Sequence, residues 1–67
     1  VGDILGELGR RVRRARTEKR WTLQELSKAA DLSMRFLSQL EAGEGNISVL
    51  KLARVAEALG TSLGHLL

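Results

Sequence analysis

The sequence predicts an all-α protein, a compact bundle of five short helices, and three observations carry that prediction. Apolar residues recur at intervals of three and four along most of the 67 residues, and no segment alternates apolar with polar over a strand's length. Ser or Thr stands just before four of the apolar runs, where a helix needs an oxygen for its orphan amides. Gly43 and Gly60 follow two of the runs, at the position where a left-handed residue ends a helix.

Helix one is predicted over about 4–19, because Leu5, Leu8, Val12 and Ala15 step by three, four and three. Trp21 is apolar and precedes Thr22-Leu23-Gln24-Glu25, a capping box. In it the Thr hydroxyl accepts from the amide of residue 25, and the Glu carboxylate accepts from the amide of residue 22. Helix two then runs over 22–30 with Leu23, Leu26 and Ala30 to bury, and Asp31-Leu32 is too short a link to hold structure of its own. Ser33 caps helix three, 33–42, with Leu37 and Leu40 on its inner face and Gly43 behind it. Glu44 to Ile47 connect to Ser48, the cap of helix four, 48–59, which carries Val49, Leu52, Val55, Ala56 and Leu59 and stops at Gly60. Ser62 opens a last helix, 62–67, holding Leu63, Leu66 and Leu67. That apolar end, with Leu50, is an expected surface for a dimer or for docking a further domain.

Residues 1–67 read as one domain, near the lower size limit for folding without staples. The chain starts at Val1 without Met and stops on Leu66-Leu67 without a polar tail, so a domain excised from something longer is the expectation. Without Cys there is no disulfide or thiolate-zinc framework, and a single His is too few for a zinc site. No nucleophile–base pair or phosphate cradle is visible, so an enzyme is not expected, nor is any cofactor or metal. No apolar run approaches the ~20 residues of a membrane span and no cleavable leader is visible, which leaves a reducing, cytoplasmic setting as the default. Two aromatics, Trp21 and Phe36, are too few for a base-stacking RNA platform.

The formal net charge is +3, but its distribution is uneven. Seven basic residues (Arg10, Arg11, Arg13, Arg14, Arg16, Lys19 and Arg20) share one stretch with a single acid, Glu18, a local net of +6; the remainder is net −3. One basic edge on a mildly acidic domain is the arrangement expected of something that meets polyanions.

Two short capped helices joined by three or four residues, over 22–43, fit a helix-turn-helix. Leu26 and Ala30 must meet Leu37 and Leu40, and Ser27 is small enough for the crossing. The left-handed turn position falls on Asp31, at a cost of about 1 kcal/mol relative to Gly. An αα-hairpin used only for packing fits the same pattern.

The strings Thr22-Leu-Gln-Glu-Leu-Ser-Lys-Ala-Ala, Leu32-Ser-Met-Arg-Phe-Leu-Ser-Gln-Leu-Glu-Ala-Gly and Val55-Ala-Glu-Ala-Leu-Gly-Thr-Ser-Leu lie in register with one another. From about Leu8 onward the chain resembles the Cro/phage-repressor-like (XRE-type) helix-turn-helix domains of bacterial transcription regulators, whose fold is that of lambda repressor. The run Gly45-Asn46-Ile47-Ser48 is also similar to a subgroup that carries a shikimate-kinase-like effector domain and responds to an aromatic coenzyme A thioester. The chain departs from the family's pattern at three places. Leu23 stands where Gln commonly opens helix two, with Gln24 next; Asp31 stands for the turn Gly; and Ile47 stands for Pro.

The major groove admits a helix whose N-terminal residues lie nearest the base edges. On helix three these are Met34 and Arg35, then Ser38 and Gln39 one turn on. Arg35 suits guanine O6 and N7, Gln39 suits adenine N6 and N7, and Met34 suits a thymine methyl. The resemblance implies base reading at Met34, Arg35 and Gln39. Ordinary solvent-facing side chains, or core filling for Met34, are the bland alternatives. Ser33, Thr22, Gln24, Ser48 and the amides of Gly45 and Asn46 are placed to hold phosphates. The Arg10, Arg13, Arg14 and Arg20 edge supplies long-range attraction rather than fixed contacts. The resemblance further implies a partly buried ion pair between Arg16 and Glu41, tying helix one to helix three. His65 has no partner and is expected at the surface or a dimer edge.

Sequence-specific binding of double-stranded DNA, as a homodimer on a palindromic operator, is therefore the leading expectation. A protein-interaction module, such as the antitoxin of a toxin–antitoxin pair, is the alternative; it predicts loss of activity on mutating helix four or five rather than Arg35. A basic helix lying on a membrane is disfavoured, because helix one lacks a large exposed apolar face.

Overall fold

The computed structural model describes residues 3–45 and 48–67, which form five helices and no strand. These are α1 (Ile4–Glu18), α2 (Leu23–Ala30), α3 (Met34–Glu41), α4 (Val49–Leu59) and α5 (Leu63–Leu66). The helix starts are set by side-chain oxygens. Thr22, Ser33, Ser48 and Ser62 accept from the amide three residues on, at 3.1, 3.0, 3.4 and 3.1 Å. Thr22 N–H donates to Glu25 Oε1 at 2.8 Å, completing the capping box. The Asp3 carboxylate accepts from Gly6 N–H at 2.9 Å and starts α1, a cap that the apolar periodicity does not reveal.

Left-handed residues follow or close four of the helices: Arg20, Asp31, Gly43 and Gly60, with φ of 61°, 57°, 75° and 73°. After α1, Arg20 N–H donates to Thr17 O at 2.9 Å and Trp21 N–H to Arg16 O at 3.2 Å, the paired closure of a Schellman turn. Glycine is the natural occupant of that position, and this chain places an arginine there. The left-handed conformation costs an L-residue about 1–2 kcal/mol, part of which glycine returns as unfolded-chain entropy. Arg20→Gly is accordingly expected to stabilise the domain by about 0.5–1 kcal/mol, read as a rise of a few degrees in Tm. An unchanged or lower midpoint would mean that the arginine side chain contributes more than its backbone costs.

The core is assembled from Leu8 and Val12 of α1, Leu26 and Ala30 of α2, Leu37 and Leu40 of α3, Leu52, Val55, Ala56 and Leu59 of α4, and Leu66 of α5. Trp21, Leu23, Leu32, Phe36 and Leu63 pack around its rim. α1 lies against α3, α2 against α3 and α4, and α5 closes onto α4 and α1.

Three positions with core-like spacing are not in it: Leu5, Val49 and Leu67 are exposed. Each lies in the first or last turn of its segment, where periodicity continues past the end of the neighbouring helix. The apolar end expected as a docking surface is likewise reduced. Leu66 is 3% exposed and Leu63 half-buried, both committed to the core, so only Leu67 and Leu50 of that set face outward.

At the crossing of α1 over the end of α3 the two backbones nearly touch. A Cβ on Gly9 would overlap Leu40 O and stand 2.6 Å from Glu41 O, and one on Gly43 would stand 2.9 Å from Gly6 Cα.

Candidate nucleic-acid interface

The two faces of α3 are built differently. Leu37 and Leu40 lock one face into the core, while Met34, Arg35 and Ser38 are exposed on the other, Met34 at 48%. Met34 is therefore not core filler. Burial of the leucines sets the rotation of α3 about its axis, and that rotation turns Met34, Arg35 and Ser38 outward. Gln39 differs from them. It is half-buried, and its side chain leans over the loop after α3: a Cβ on Gly45 would stand 3.4 Å from Gln39 Oε1.

The angle between α2 and α3 is held by the turn. Asp31 takes the left-handed conformation expected of it, and Leu32 N–H donates to Ser27 O at 3.1 Å. The Ser27 hydroxyl donates in turn to Leu32 O. Ser27 was expected at the crossing for its size, and it also bonds across the turn.

The expected phosphate-holding residues fall into three groups. Thr22, Ser33 and Ser48 use an oxygen lone pair for capping, which leaves each hydroxyl proton free to donate. The first two amides of α2 and α3 have no intrahelical acceptor, and the positive end of the helix dipole lies there. Gln24 and Gly45 are exposed. Asn46 lies outside the described residues, as does Ile47, so the Gly45–Ser48 run is seen only at its ends. Leu23 packs on the core.

Arg16 and Glu41 meet in a two-bonded pair: Nε donates to Oε2 at 2.7 Å and Nη2 to Oε1 at 2.9 Å. The remaining edge of the guanidinium donates from Nη1 to Trp21 O at 2.7 Å, a partner with no signal in the sequence because it is a backbone atom. The side chains are 12% and 8% exposed. The Glu41 carboxylate raises the Arg16 pKa above its ordinary value, against the opposing effect of burial.

The basic edge is not uniform. Arg10 and Arg11 both donate to Glu7, at 3.1 and 3.3 Å, and these bonds hold that exposed carboxyl below its ordinary range. Arg13, Arg14 and Arg20 make no ion pair among the described residues. Arg13 follows Gly9 by four and precedes Arg16 by three, so it lies on the flank of α1 nearest α3. Arg11 and Arg14 instead line a shallow depression of about 610 Å³ with Leu59, Thr61 and His65. A positive group that sequence reading misses is Lys51, whose ammonium stands 5.1 Å from the centre of the Phe36 ring on α3.

The HTH_3 helix-turn-helix family matches residues 12–66. The chain belongs to the HTH_3 family. Among its relatives, the HTH-type transcriptional regulator y4dJ of Sinorhizobium fredii is 38% identical over 60 residues, covering 90% of this HTH_3 domain and 78% of that protein. The clp gene regulator ClgR from Corynebacterium glutamicum superposes with a TM-score of 0.86 at 38% identity, over 94% of this chain and 67% of that one. SinR, the master regulator for biofilm formation, solved in complex with DNA, superposes with a TM-score of 0.82 at 32% identity, over 88% and 95% of the two chains. In this HTH_3 domain the helix-turn-helix is α2, the Asp31–Ser33 turn and α3.

Proposed function

We propose that this domain binds double-stranded DNA sequence-specifically as part of a bacterial transcription regulator, with α3 in the major groove. The observation that carries the reading is the face of α3. Met34, Arg35 and Ser38 stand exposed on a helix whose other side is immobilised by Leu37 and Leu40. Arg35 pairs with a guanine, Gln39 with an adenine, Met34 with a thymine methyl, and Ser38 with either base edge. Thr22, Gln24, Ser33, Gly45, Asn46 and Ser48 hold the flanking phosphates and set the register. Lys51, beside α3, and Arg13, on the near flank of α1, add positive charge on the same side. The Arg16–Glu41 pair keeps α3 on α1 and takes no part in readout.

A single module of this size offers few base contacts, so two copies on half-sites about one helical turn apart form the working unit. Val49, Leu50, Ile4 and Leu67 are the exposed apolar side chains from which such a homodimer surface is drawn. The domain acts in the cytoplasm, at the nucleoid, and without catalysis of its own. No helix among the described residues is long and apolar enough to cross a membrane.

Binding to duplex DNA measured across salt tests the reading. Log affinity falls steeply with log salt for the native domain. Arg35→Ala and Gln39→Ala keep most of that slope, while each loses about 1–3 kcal/mol of discrimination at one base pair. Two variants that select the native sequence with native affinity would remove α3 as the reading helix. Lost activity on changing α4 or α5, with Arg35 dispensable, would favour a protein partner.

A further inference from the structure

The half-buried state of Gln39 has a local cause. α3 ends in a Schellman turn in which Gly43 N–H donates to Leu40 O at 3.1 Å and Glu44 N–H donates back to the carbonyl of Gln39 itself at 2.8 Å. The chain therefore folds back beside the Gln39 side chain and arrives at Gly45 in the left-handed conformation, φ 81°. In that conformation the Cβ direction of residue 45 points at Gln39. A Cβ there would stand 3.4 Å from Oε1, 3.8 Å from Cβ and 3.9 Å from Cδ of the glutamine, which is van der Waals contact along its length. Glycine leaves this space one methyl wide.

We propose that position 45 is a specificity-determining position, which acts through space by setting the rotamers open to Gln39. This rests on Gln39 as a base-reading residue and extends it: the adenine-directed amide is positioned by the loop after α3 as well as by α3. With glycine at 45 the amide can swing between the loop and the groove. A Cβ at 45 fills the gap in ordinary contact with the Gln39 side chain as it lies over the loop, which restricts that swing and favours the loop-side rotamer. The role is distinct from a phosphate contact by the Gly45 amide, which every residue except proline retains at this position and which weakens or strengthens all DNA sequences alike.

The test is a double-mutant cycle on Gly45→Ala and Gln39→Ala, with affinities measured for duplexes varied one base pair at a time. Gly45→Asn is carried in parallel, because Asn tolerates the left-handed conformation better than Ala and separates bulk from backbone strain. The expected result is a three- to tenfold change in preference at the base pair read by Gln39, of order the discrimination one side chain supplies, in both Gly45 variants. In the Gln39→Ala background the same Gly45 changes leave preference unaltered. The rotamer itself is read in the free protein from the couplings of the Gln39 Cβ protons by NMR, which change on Gly45→Ala and Gly45→Asn. A uniform change in affinity with preference intact would overturn the proposal, and so would a preference change that persists without the glutamine or unchanged couplings. Should Gln39→Ala alone leave preference untouched while the couplings do move, the base-reading role of Gln39 is what fails.

Discussion

Glu41→Ala is expected to leave the domain largely unfolded at 37 °C. Its carboxylate receives two bonds from Arg16, at 2.7 and 2.9 Å, where the two side chains are 12% and 8% exposed. Alanine would strand the guanidinium there, holding only Trp21 O, and removing one partner of such a pair costs about 3–5 kcal/mol. A single core in a chain of this length rarely nets more than about 3–5 kcal/mol, so the loss equals most of what is present. Urea unfolding followed by circular dichroism measures it. A midpoint shift equivalent to less than about 1 kcal/mol would place the pair among solvated surface bridges. The companion variant, Arg16→Met with Glu41→Leu, removes both charges at similar volume. It is expected to recover much of the loss, because desolvating the two ions offsets most of their attraction. Full recovery is not expected, since Trp21 O loses its donor.

Gly9→Ala carries the second large effect. The added methyl would sit 2.6 Å from Glu41 O and closer still to Leu40 O, and neither is the far end of a flexible side chain. Both belong to the last turn of α3, so the methyl is accommodated only by moving one helix off the other. That motion draws Val12 away from the core and stretches the Arg16–Glu41 bonds, both of which depend on the same crossing. Overpacking costs about 1–3 kcal/mol, and a collision with backbone falls at the upper end. Alanine is the better helix former by about 1 kcal/mol, so the net expectation is a loss of about 1–2 kcal/mol from a substitution that propensity alone scores as a gain. Equal or greater stability in thermal unfolding would show that α1 slides on α3 freely. Specific DNA binding under conditions where the variant is folded is expected to be near native, because α3 keeps its outward residues.

How much of this was legible beforehand depended on the range of the interactions. The four Ser/Thr caps, the Thr22–Glu25 box and the left-handed Asp31 all complete themselves within a few residues, so a local reading placed them. Helix limits were therefore close to those expected. The inward rows of leucines followed from periodicity, as did the outward placement of Met34, Arg35 and Ser38. Periodicity misplaced Leu5, Val49 and Leu67, since it marks one face of a helix without marking where the neighbour ends. Nor does periodicity mark the left-handed position after α1, because it is occupied by Arg20, a residue type that carries no turn signal.

The candidate site divides along the same line. Five helices, a helix-turn-helix over 22–43 and an outward Met34–Arg35–Ser38 face on α3 all follow from the sequence, because caps, turns and apolar spacing are local properties of the chain. Tertiary structure alone decided the approach of Gly9 to the carbonyls of α3 and the third bond from Arg16 to Trp21 O. It also brought Lys51 beside Phe36 and laid Gln39 against Gly45. Each of these depends on where one helix sits on another or on how the chain folds back after α3. That placement is set by the packing of the whole core and leaves no pattern in any single stretch of sequence.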